Sequence, residues 1–346
     1  MMDSARQAIQ AKHLGEAKHI LGQILEKNPD FAPGYLLMGN VYAAKGELDE
    51  ALEYYEGALH LKKDMPVALL MSATVYVRKG LLEKALEKLK EALAINPSMG
   101  QAYLGLSRVY TKMERLDDAL AALQEALRHN PQYDEARLGI ATIHRRKGDD
   151  DTALQELQAM LGRDADAWQA HLQIGKIFAS RGDFVAAISS LRQASELQPD
   201  NAQVHLVLGH AYLEGKDYDA ALRQFARVLE IDESSVLAKV ETARTLSAQG
   251  KPAEARKLLA GLANGESHLG VVHRRLAEVF MQDNRFADAV AEFNAAVLHS
   301  KKLVEKHPAL LQVRAASPGD EAALAAAYFE AFAATDQGGP FSAHGA

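Results

Sequence analysis

The chain has 346 residues and a formal net charge of −7, with 48% hydrophobic, 25% charged and 6% aromatic residues and no cysteine. This composition is too apolar for a disordered chain and too charged for a membrane protein, so it predicts a soluble, folded protein. The lack of cysteine excludes disulfides, thiolate metal sites and cysteine nucleophiles. The excess of acidic residues argues against bulk attraction to nucleic acid or anionic lipid.

The N-terminal residues show no targeting signal. They carry neither a basic start nor an apolar run, and no stretch of the chain approaches 18 uncharged apolar residues. We therefore expect no membrane span and a cytoplasmic location by default, or a periplasmic location if a signal or anchor has been removed.

The sequence repeats itself every 34 residues. Counting Ala32 as the first residue of a repeat, the later repeats begin without insertion or deletion at Pro66, Gly100, Asp134, Trp168, Ala202, Val236 and Gly270. Position 20 is alanine in all eight repeats: Ala51, Ala85, Ala119, Ala153, Ala187, Ala221, Ala255 and Ala289. A fixed period of this length is typical of solenoids, in which each repeat packs on its neighbours. It replaces the two ordinary domains that the length alone suggests.

The other recurring positions predict two packed helices in each repeat. Position 8 is always small, position 11 is usually a large ring and position 24 is large and apolar, so small and large surfaces can interdigitate. Position 15 is glycine in five repeats, which is consistent with a left-handed residue that ends the first helix: Gly46, Gly80, Gly148, Gly182 and Gly250. Prolines at position 32 end the second helix: Pro97, Pro131 and Pro199.

This pattern resembles the tetratricopeptide repeat, of bacterial type. The resemblance covers residues 1–303, because Ala17 and Pro29 fall at positions 20 and 32 of one further repeat. It implies an all-α fold: an α-solenoid, wound as a right-handed superhelix, of about nine 34-residue helix-turn-helix repeats. The repeats would start near residues 1, 32, 66, 100, 134, 168, 202, 236 and 270. We expect residues 304–336 to form a C-terminal helical cap and residues 337–346 a disordered tail.

The motifs of catalysis are absent from the sequence. It contains no phosphate loop, no His-Glu-x-x-His, no Gly-x-Ser-x-Gly and no dinucleotide fingerprint. The aspartates at 149–151 fall in a turn before a helix, where carboxylates cap helix ends. His171, His205 and His273 share position 4, which this repeat family fills with packing side chains. We therefore predict no enzyme activity, no cofactor and no metal site.

The same resemblance implies a concave face lined by the first helix of each pair, at positions 2, 5, 6, 9, 12 and 13. Position 5 is leucine in six successive repeats from Leu36 to Leu206. Over residues 66–201 these positions hold six basic residues against one acid, Glu135. The predicted partner-binding residues are Leu36, Asn40, Leu70, Thr74, Arg78, Leu104, Arg108, Lys112, Leu138, Thr142, Arg145, Arg146, Leu172, Lys176, Leu206, His210 and Arg244.

The sequence thus predicts a non-enzymatic scaffold or adaptor that binds an acidic or amphipathic segment of a partner protein in a basic, leucine-lined groove. The leucines can equally pack against the neighbouring repeat, and the basic residues can be balanced elsewhere. Binding of chaperone C-terminal tails is disfavoured, because of the five positions that would hold such a tail from Ala32 onward only Asn40 matches.

Two other functions stay open. One is a component of a bacterial envelope assembly system, for pili or exopolysaccharide secretion. The other is a solenoid that binds nucleic acid or another polyanion, which the shortage of aromatic residues for base stacking disfavours. The sequence leaves self-association open as well.

Overall fold

The computed structural model describes residues 1–263, 269–282, 284–299 and 321–335. These residues form nineteen helices and no strand. The helices are α1 (Met2–Gln10), α2 (Leu14–Lys27), α3 (Ala32–Lys45), α4 (Leu48–Leu61), α5 (Pro66–Arg78), α6 (Leu82–Ile95), α7 (Gly100–Lys112), α8 (Leu116–His129), α9 (Asp134–Arg146), α10 (Asp150–Leu161), α11 (Trp168–Ser180), α12 (Phe184–Leu197), α13 (Ala202–Glu214), α14 (Tyr218–Ile231), α15 (Val236–Ala248), α16 (Pro252–Ala263), α17 (Leu269–Gln282), α18 (Phe286–Leu298) and α19 (Glu321–Thr335).

The helices follow the 34-residue register of the sequence. The first helix begins at position 1 in the seven repeats from α3 to α15, and α17 begins one residue early, at Leu269. The second helix begins at position 17 in every repeat from α4 to α18. The two helices of each of these repeats are joined by a short turn. The prediction of an all-α protein built from 34-residue helix pairs is therefore confirmed.

The turn within each repeat contains one residue with positive φ, at position 15. The five predicted glycines adopt this conformation, with φ between 75° and 85°. In four further repeats a residue with a side chain does so, with φ between 57° and 65°: Lys12, Glu114, Lys216 and Asn284. The left-handed region costs a residue with a Cβ roughly 1–2 kcal/mol. The packing of the flanking helices has to offset that cost in these four turns.

In the core of each repeat, a small residue at position 8 packs against a large residue at position 24. A Cβ atom on Gly39 would lie 2.4 Å from Cε1 of Tyr55, and one on Gly209 would lie 2.5 Å from Cε1 of Phe225. Both rings are fully buried. The ring of the second helix therefore lies directly on the backbone of the first, which explains the alternation of small and large residues.

The chain divides into two units, Met1–Glu156 and Leu157–Ala346. In the first unit the first helices α3, α5, α7 and α9 pack side by side, each on the next. In the second unit α11, α13, α15 and α17 do the same. Each unit thus presents a surface made of consecutive first helices, which is where the sequence places the partner-binding residues.

The last described helix, α19, packs on α18 in the second unit. The ring of Phe293 stacks on Tyr328 and Phe332, at centroid distances of 5.6 and 5.5 Å, and the Tyr328 hydroxyl donates to Asn294 Oδ1 at 2.6 Å. Residues 304–320 and 336 of the predicted cap, and the predicted tail at 337–346, lie outside the described residues. Within the described ranges, no helix is both long enough and apolar enough to cross a membrane.

Candidate partner-binding surface

The predicted partner-binding residues divide between the two units. Twelve lie on α3, α5, α7 and α9 of the first unit: Leu36, Asn40, Leu70, Thr74, Arg78, Leu104, Arg108, Lys112, Leu138, Thr142, Arg145 and Arg146. Five lie on α11, α13 and α15 of the second unit: Leu172, Lys176, Leu206, His210 and Arg244. The structure gives the two sets different surroundings.

The position-5 leucines of the first unit are used largely in packing between helices. Leu70 is buried in a core cluster with Leu106. Leu36 and Leu104 are half-buried, each against the core of its own part of the unit, and Leu138 is half-buried as well. The stripe of leucines is therefore partly accessible, and its main contribution is to the fit between repeats.

Polar residues at position 9 of the first unit are also used internally. The Tyr55 hydroxyl donates a 2.8 Å hydrogen bond to Asn40 Oδ1, and burial raises the pKa of Tyr55 well above its usual value. The hydroxyls of Thr74 and Thr142 donate to backbone carbonyls four residues earlier in their own helices, at 3.0 and 2.8 Å. These three side chains thus have structural roles that the sequence did not reveal.

Two of the predicted arginines connect neighbouring repeats. Arg78 donates from Nη1 to the carbonyl of Ala43 at 2.6 Å. Arg146 donates from Nη1 to the carbonyl of Thr111 at 3.5 Å, and from Nη2 to both carboxylate oxygens of Glu114 at 2.9 and 3.1 Å. Both guanidinium groups are thereby engaged with the C-terminal end of the preceding first helix, which favours positive charge.

Arg145 lies inside the protein, with 5% of its surface exposed. Burial lowers the pKa of its guanidinium, and the carboxylate of Asp150 opposes that shift. Its Nε and Nη1 atoms have no hydrogen-bond partner among the described residues. Arg145 is therefore not part of the exposed basic surface, because position 12 faces the interior in this repeat.

Arg108 and Lys112, unlike Arg145, lie at the protein surface. Both are exposed on α7, four residues apart on one helix face. Neither makes a hydrogen bond or an ion pair with any described residue. They are the predicted basic residues of the first unit that stay available to a partner.

The repeat that contains Arg108 and Lys112 also lacks an ion pair that the two flanking repeats make. In the flanking repeats a lysine at position 14 pairs with an aspartate at position 18 of the preceding repeat: Lys79 with Asp49, and Lys147 with Asp117 at 2.6 Å. The hydrogen bond from Lys147 lowers the pKa of Asp117. In the repeat of α7 position 14 is Met113, so the pairing is interrupted at that repeat. Sequence reasoning missed this break, although comparing position 14 across the repeats would have found it.

In the second unit the corresponding surface carries balanced, partly buried charge. His210 Nδ1 lies 3.5 Å from Glu241 Oε2, and both side chains are nearly fully buried. Arg244 pairs with Glu214 at 2.6 Å and with Glu241 at 3.4 Å. Lys176 is also buried. Because Glu214 and Glu241 lie beside Arg244 and His210, and Lys176 is buried, the second unit does not repeat the basic surface of the first.

The apolar members of this set are packed as well. Leu172 is buried in a core cluster, and Leu206 packs against the cluster that contains Phe225.

A pocket of about 480 Å³ lies nearer the C-terminal end of the second unit, with Arg274 and Glu278 in its wall. These two side chains pair with each other at 3.0 Å.

The histidines at position 4 are bound within the fold of the second unit. His205 makes contacts of 2.9 Å to Gln224 Oε1 and 3.0 Å to the Pro199 carbonyl. His273 Nδ1 lies 2.6 Å from Glu292 Oε2, and His171 Nε2 lies 3.0 Å from the Ala165 carbonyl. Across the described part of the chain, no three His, Asp or Glu side chains are grouped as metal ligands.

The acidic turn at 149–151 does cap a helix. Asp149 Oδ1 accepts a hydrogen bond from the backbone N–H of Thr152 at 3.1 Å, and the hydrogen bonds with Thr152 lower the pKa of Asp149. This agrees with the capping role predicted for the turn.

The fold and this surface define a class of protein: a stack of helix pairs that presents consecutive first helices to a partner. The tetratricopeptide repeat family model matches residues 8–64, 77–126, 112–173, 178–243 and 212–268, which together make up most of the chain. The chain belongs to the tetratricopeptide repeat family, and it is a scaffold for protein–protein interaction.

The solved structures that match this chain come from varied proteins. The human IFIT1 dimer with m7Gppp-AAAA matches with a TM-score of 0.58 and 14% identity, over 96% of this chain and 86% of that one. The APC/C hetero-tetramer Cut9-Hcn1 matches with a TM-score of 0.54 and 19% identity, over 79% of this chain and 55% of that one. YrrB, a TPR protein with an unusual peptide-binding site, is 23% identical over 63% of this chain and 95% of its own, with a TM-score of 0.32. No curated protein matches the sequence.

Proposed function

We propose that the chain is a non-enzymatic scaffold or adaptor whose first unit binds an acidic segment of a partner protein along α5, α7 and α9. The observation that carries the proposal is the exposed pair Arg108 and Lys112, neither of which forms an ion pair with a described residue. The basic residues at the position of Lys112 in the flanking repeats, Arg78 and Arg146, are engaged with backbone and carboxylate groups. A partner's carboxylates would supply the missing counter-charge.

The spacing of the two cations suits a peptide. Residues four apart in a helix are separated by about 6 Å along its axis. Carboxylates two residues apart in an extended peptide are separated by about 7 Å, so two of them can meet Arg108 and Lys112 together. The half-buried Leu104 and Leu138 lie on the same series of helices and offer apolar contact. The partner segment should therefore alternate acidic and apolar residues.

A charge-reversal experiment tests this proposal. The variant R108E/K112E and the control K62E/K90E change the net charge equally, but Lys62 and Lys90 are exposed residues at the end of α4 and on α6. The probe is a fluorescein-labelled peptide of alternating glutamate and leucine, measured by fluorescence anisotropy. We expect R108E/K112E to weaken binding by about tenfold or more, and the control to bind like the wild type. Equal binding by all three proteins would refute the proposal.

The ionic-strength dependence provides a second measurement. Binding at an exposed pair of cations should weaken as salt rises from about 0.05 to about 0.3 M, because screening shortens the reach of the charges. An oligouridylate probe is included, since exposed cations also attract phosphate. Tighter binding of the RNA than of the peptide would favour a polyanion-binding solenoid instead. The likeness to the IFIT1 structure, whose description includes a capped RNA, is a likeness of fold.

A further inference from the structure

A cleft of about 660 Å³ opens between α4, α5 and α6 in the first unit. Its floor includes Leu59, Leu69 and Tyr76, and the last two are nearly fully buried. Neither Arg108 nor Lys112 belongs to its wall, so the cleft is separate from the surface of the proposed function. Its volume lies within the range of about 300–1,000 Å³ that is typical of binding sites for small groups.

The neighbouring repeats show what fills the equivalent place. Position 4 is Tyr35 in the preceding repeat and Tyr103 in the following one, whereas it is Leu69 here. The ring of Tyr35 lies 6.1 Å from the ring of Tyr54, and the ring of Tyr103 stacks on His129 at 5.8 Å. In each neighbouring repeat the ring at position 4 thus lies near a second ring, whereas the repeat of Leu69 has no ring at the corresponding positions.

The residues that replace the second rings leave the cleft open. Ile95, at the position of His129, remains 39% exposed in the wall of the cleft. Lys88, at the position of Tyr54, donates to both carboxylate oxygens of Glu91, at 2.9 and 3.1 Å. Burial lowers the pKa of Lys88, but the hydrogen bond to Glu91 raises it, and the net shift is upward. The charges of Lys88 and Glu91 are therefore paired with each other, and the part of the cleft beside this pair is apolar.

The rim of the cleft is negative. Glu56 and Asp64 are exposed there and have no ion pair among the described residues, while Lys63 supplies one positive charge. With the Lys88–Glu91 pair neutral and histidine counted as neutral, these three groups leave an excess of one negative charge. The negative rim is complementary to a positively charged partner segment.

We propose that this cleft binds an aromatic side chain of a partner protein, flanked in the partner sequence by basic residues. The ring occupies the space that Tyr35 and Tyr103 occupy in their own repeats, against Leu59, Leu69 and Ile95. The basic neighbours of the ring meet Glu56 and Asp64. Aromatic residues that enter such pockets supply much of the affinity of an interface, because they bury a large rigid surface.

The variant Leu69→Tyr gives a direct test. Because tyrosine stands at this position in both adjacent repeats, we expect the variant to fold, with an unchanged circular dichroism spectrum and a melting temperature at least equal to that of the wild type. Its own ring should then occupy the cleft. The probe is the peptide Ser-Lys-Trp-Lys-Ser, with Ser-Lys-Ala-Lys-Ser as its control, and binding is measured by isothermal titration calorimetry. We expect the tryptophan peptide to bind the wild type and to bind Leu69→Tyr at least about tenfold more weakly.

A second variant and two controls make the outcome decisive. Glu56→Lys should weaken the tryptophan peptide severalfold without filling the cleft, and Ser-Glu-Trp-Glu-Ser should bind the wild type more weakly than the lysine version. R108E/K112E should bind the tryptophan peptide like the wild type, which separates this result from the test of the acidic-segment surface. The proposal is overturned if the wild type fails to bind the tryptophan peptide at millimolar concentration, or if folded Leu69→Tyr binds it as tightly as the wild type.

Discussion

The guanidinium of Arg78 donates a 2.6 Å hydrogen bond to the backbone carbonyl of Ala43, in the last turn of the preceding first helix. The same positions are joined two repeats further on, where Arg146 reaches the carbonyl of Thr111. Carbonyls in the last turn of a helix lack the N–H partner four residues later that the helix interior has, and a cation there interacts favourably with the helix dipole. This contact therefore stabilises the stacking of one repeat on the next.

Replacing Arg78 with alanine should destabilise the first unit. A hydrogen bond from a charged group is worth about 1 kcal/mol when it is partly exposed, so we expect the urea midpoint of Arg78→Ala to fall accordingly. The matched control is Lys112→Ala, at the same position of the next repeat but without such a contact among the described residues, which should change stability by less than about 0.5 kcal/mol. Equal losses in the two variants would contradict the linking role of Arg78.

The hydrogen bond between Tyr55 and Asn40 should be a measurable part of the first unit's core. Tyr55 is fully buried and its hydroxyl donates to Asn40 Oδ1 at 2.8 Å. Removing it with Tyr55→Phe should cost about 1 kcal/mol. A double-mutant cycle with Asn40→Ala should show a coupling free energy of about 0.5–1.5 kcal/mol between the two positions. Additive effects in urea unfolding would mean that Asn40 is not used in packing and is free for a partner.

The repeat pattern predicted the fold well because the same residues make the pattern and the packing. Alanine at position 20 and a large residue at position 24 recur because two helices must approach closely there, so the first helix of each repeat begins within one residue of the predicted repeat start. The turns were predicted where glycine marks them, as at Gly46, but Glu114 and Lys216 adopt the same backbone with no signal of their own.

The site could be predicted only in part, because exposure depends on contacts between repeats. Positions 9, 12 and 13 lie on the first helices as expected, yet Arg145 is buried while Arg108 is exposed. A register assigns a residue to a helix face, but a long side chain can turn inward or outward depending on its neighbours. The cleft at Leu69 could be predicted from the sequence, because position 4 of successive repeats is leucine there and tyrosine in the repeats on either side.

Adding a methyl group at two glycines should have opposite effects. A Cβ atom on Gly39 would lie 2.4 Å from the buried ring of Tyr55, whereas a Cβ on Gly22 in α2 would meet nothing within 4 Å. Gly39→Ala should therefore destabilise the protein by about 1–3 kcal/mol through overpacking. Gly22→Ala should stabilise it by about 0.5–1 kcal/mol, because glycine is a poor helix residue. Chemical denaturation of both variants checks this, and a stabilising Gly39→Ala would refute the close approach of α3 to α4.

The buried histidine of the second unit should make stability depend on pH. Burial lowers the pKa of His210 below its usual value of 6.5; Glu241 and Glu214 oppose this shift, and Arg244 and Arg275 add to it. The unfolded chain therefore binds a proton here at a higher pH than the folded chain does. Stability from this group is complete above about pH 7 and is lost as the pH falls through 6.5 toward the lowered folded value.

Thermal melting between about pH 7.5 and about pH 5.5 measures this effect. The wild-type melting temperature should fall over that range, and His210→Gln should show a smaller fall because its side chain does not titrate. The control is His19→Gln, a change at an exposed histidine of the first unit, which should keep the wild-type dependence. If the melting temperatures of His210→Gln and the wild type fall in parallel, His210 does not cause the pH dependence. The surrounding charges would then offset the effect of burial on the pKa of His210.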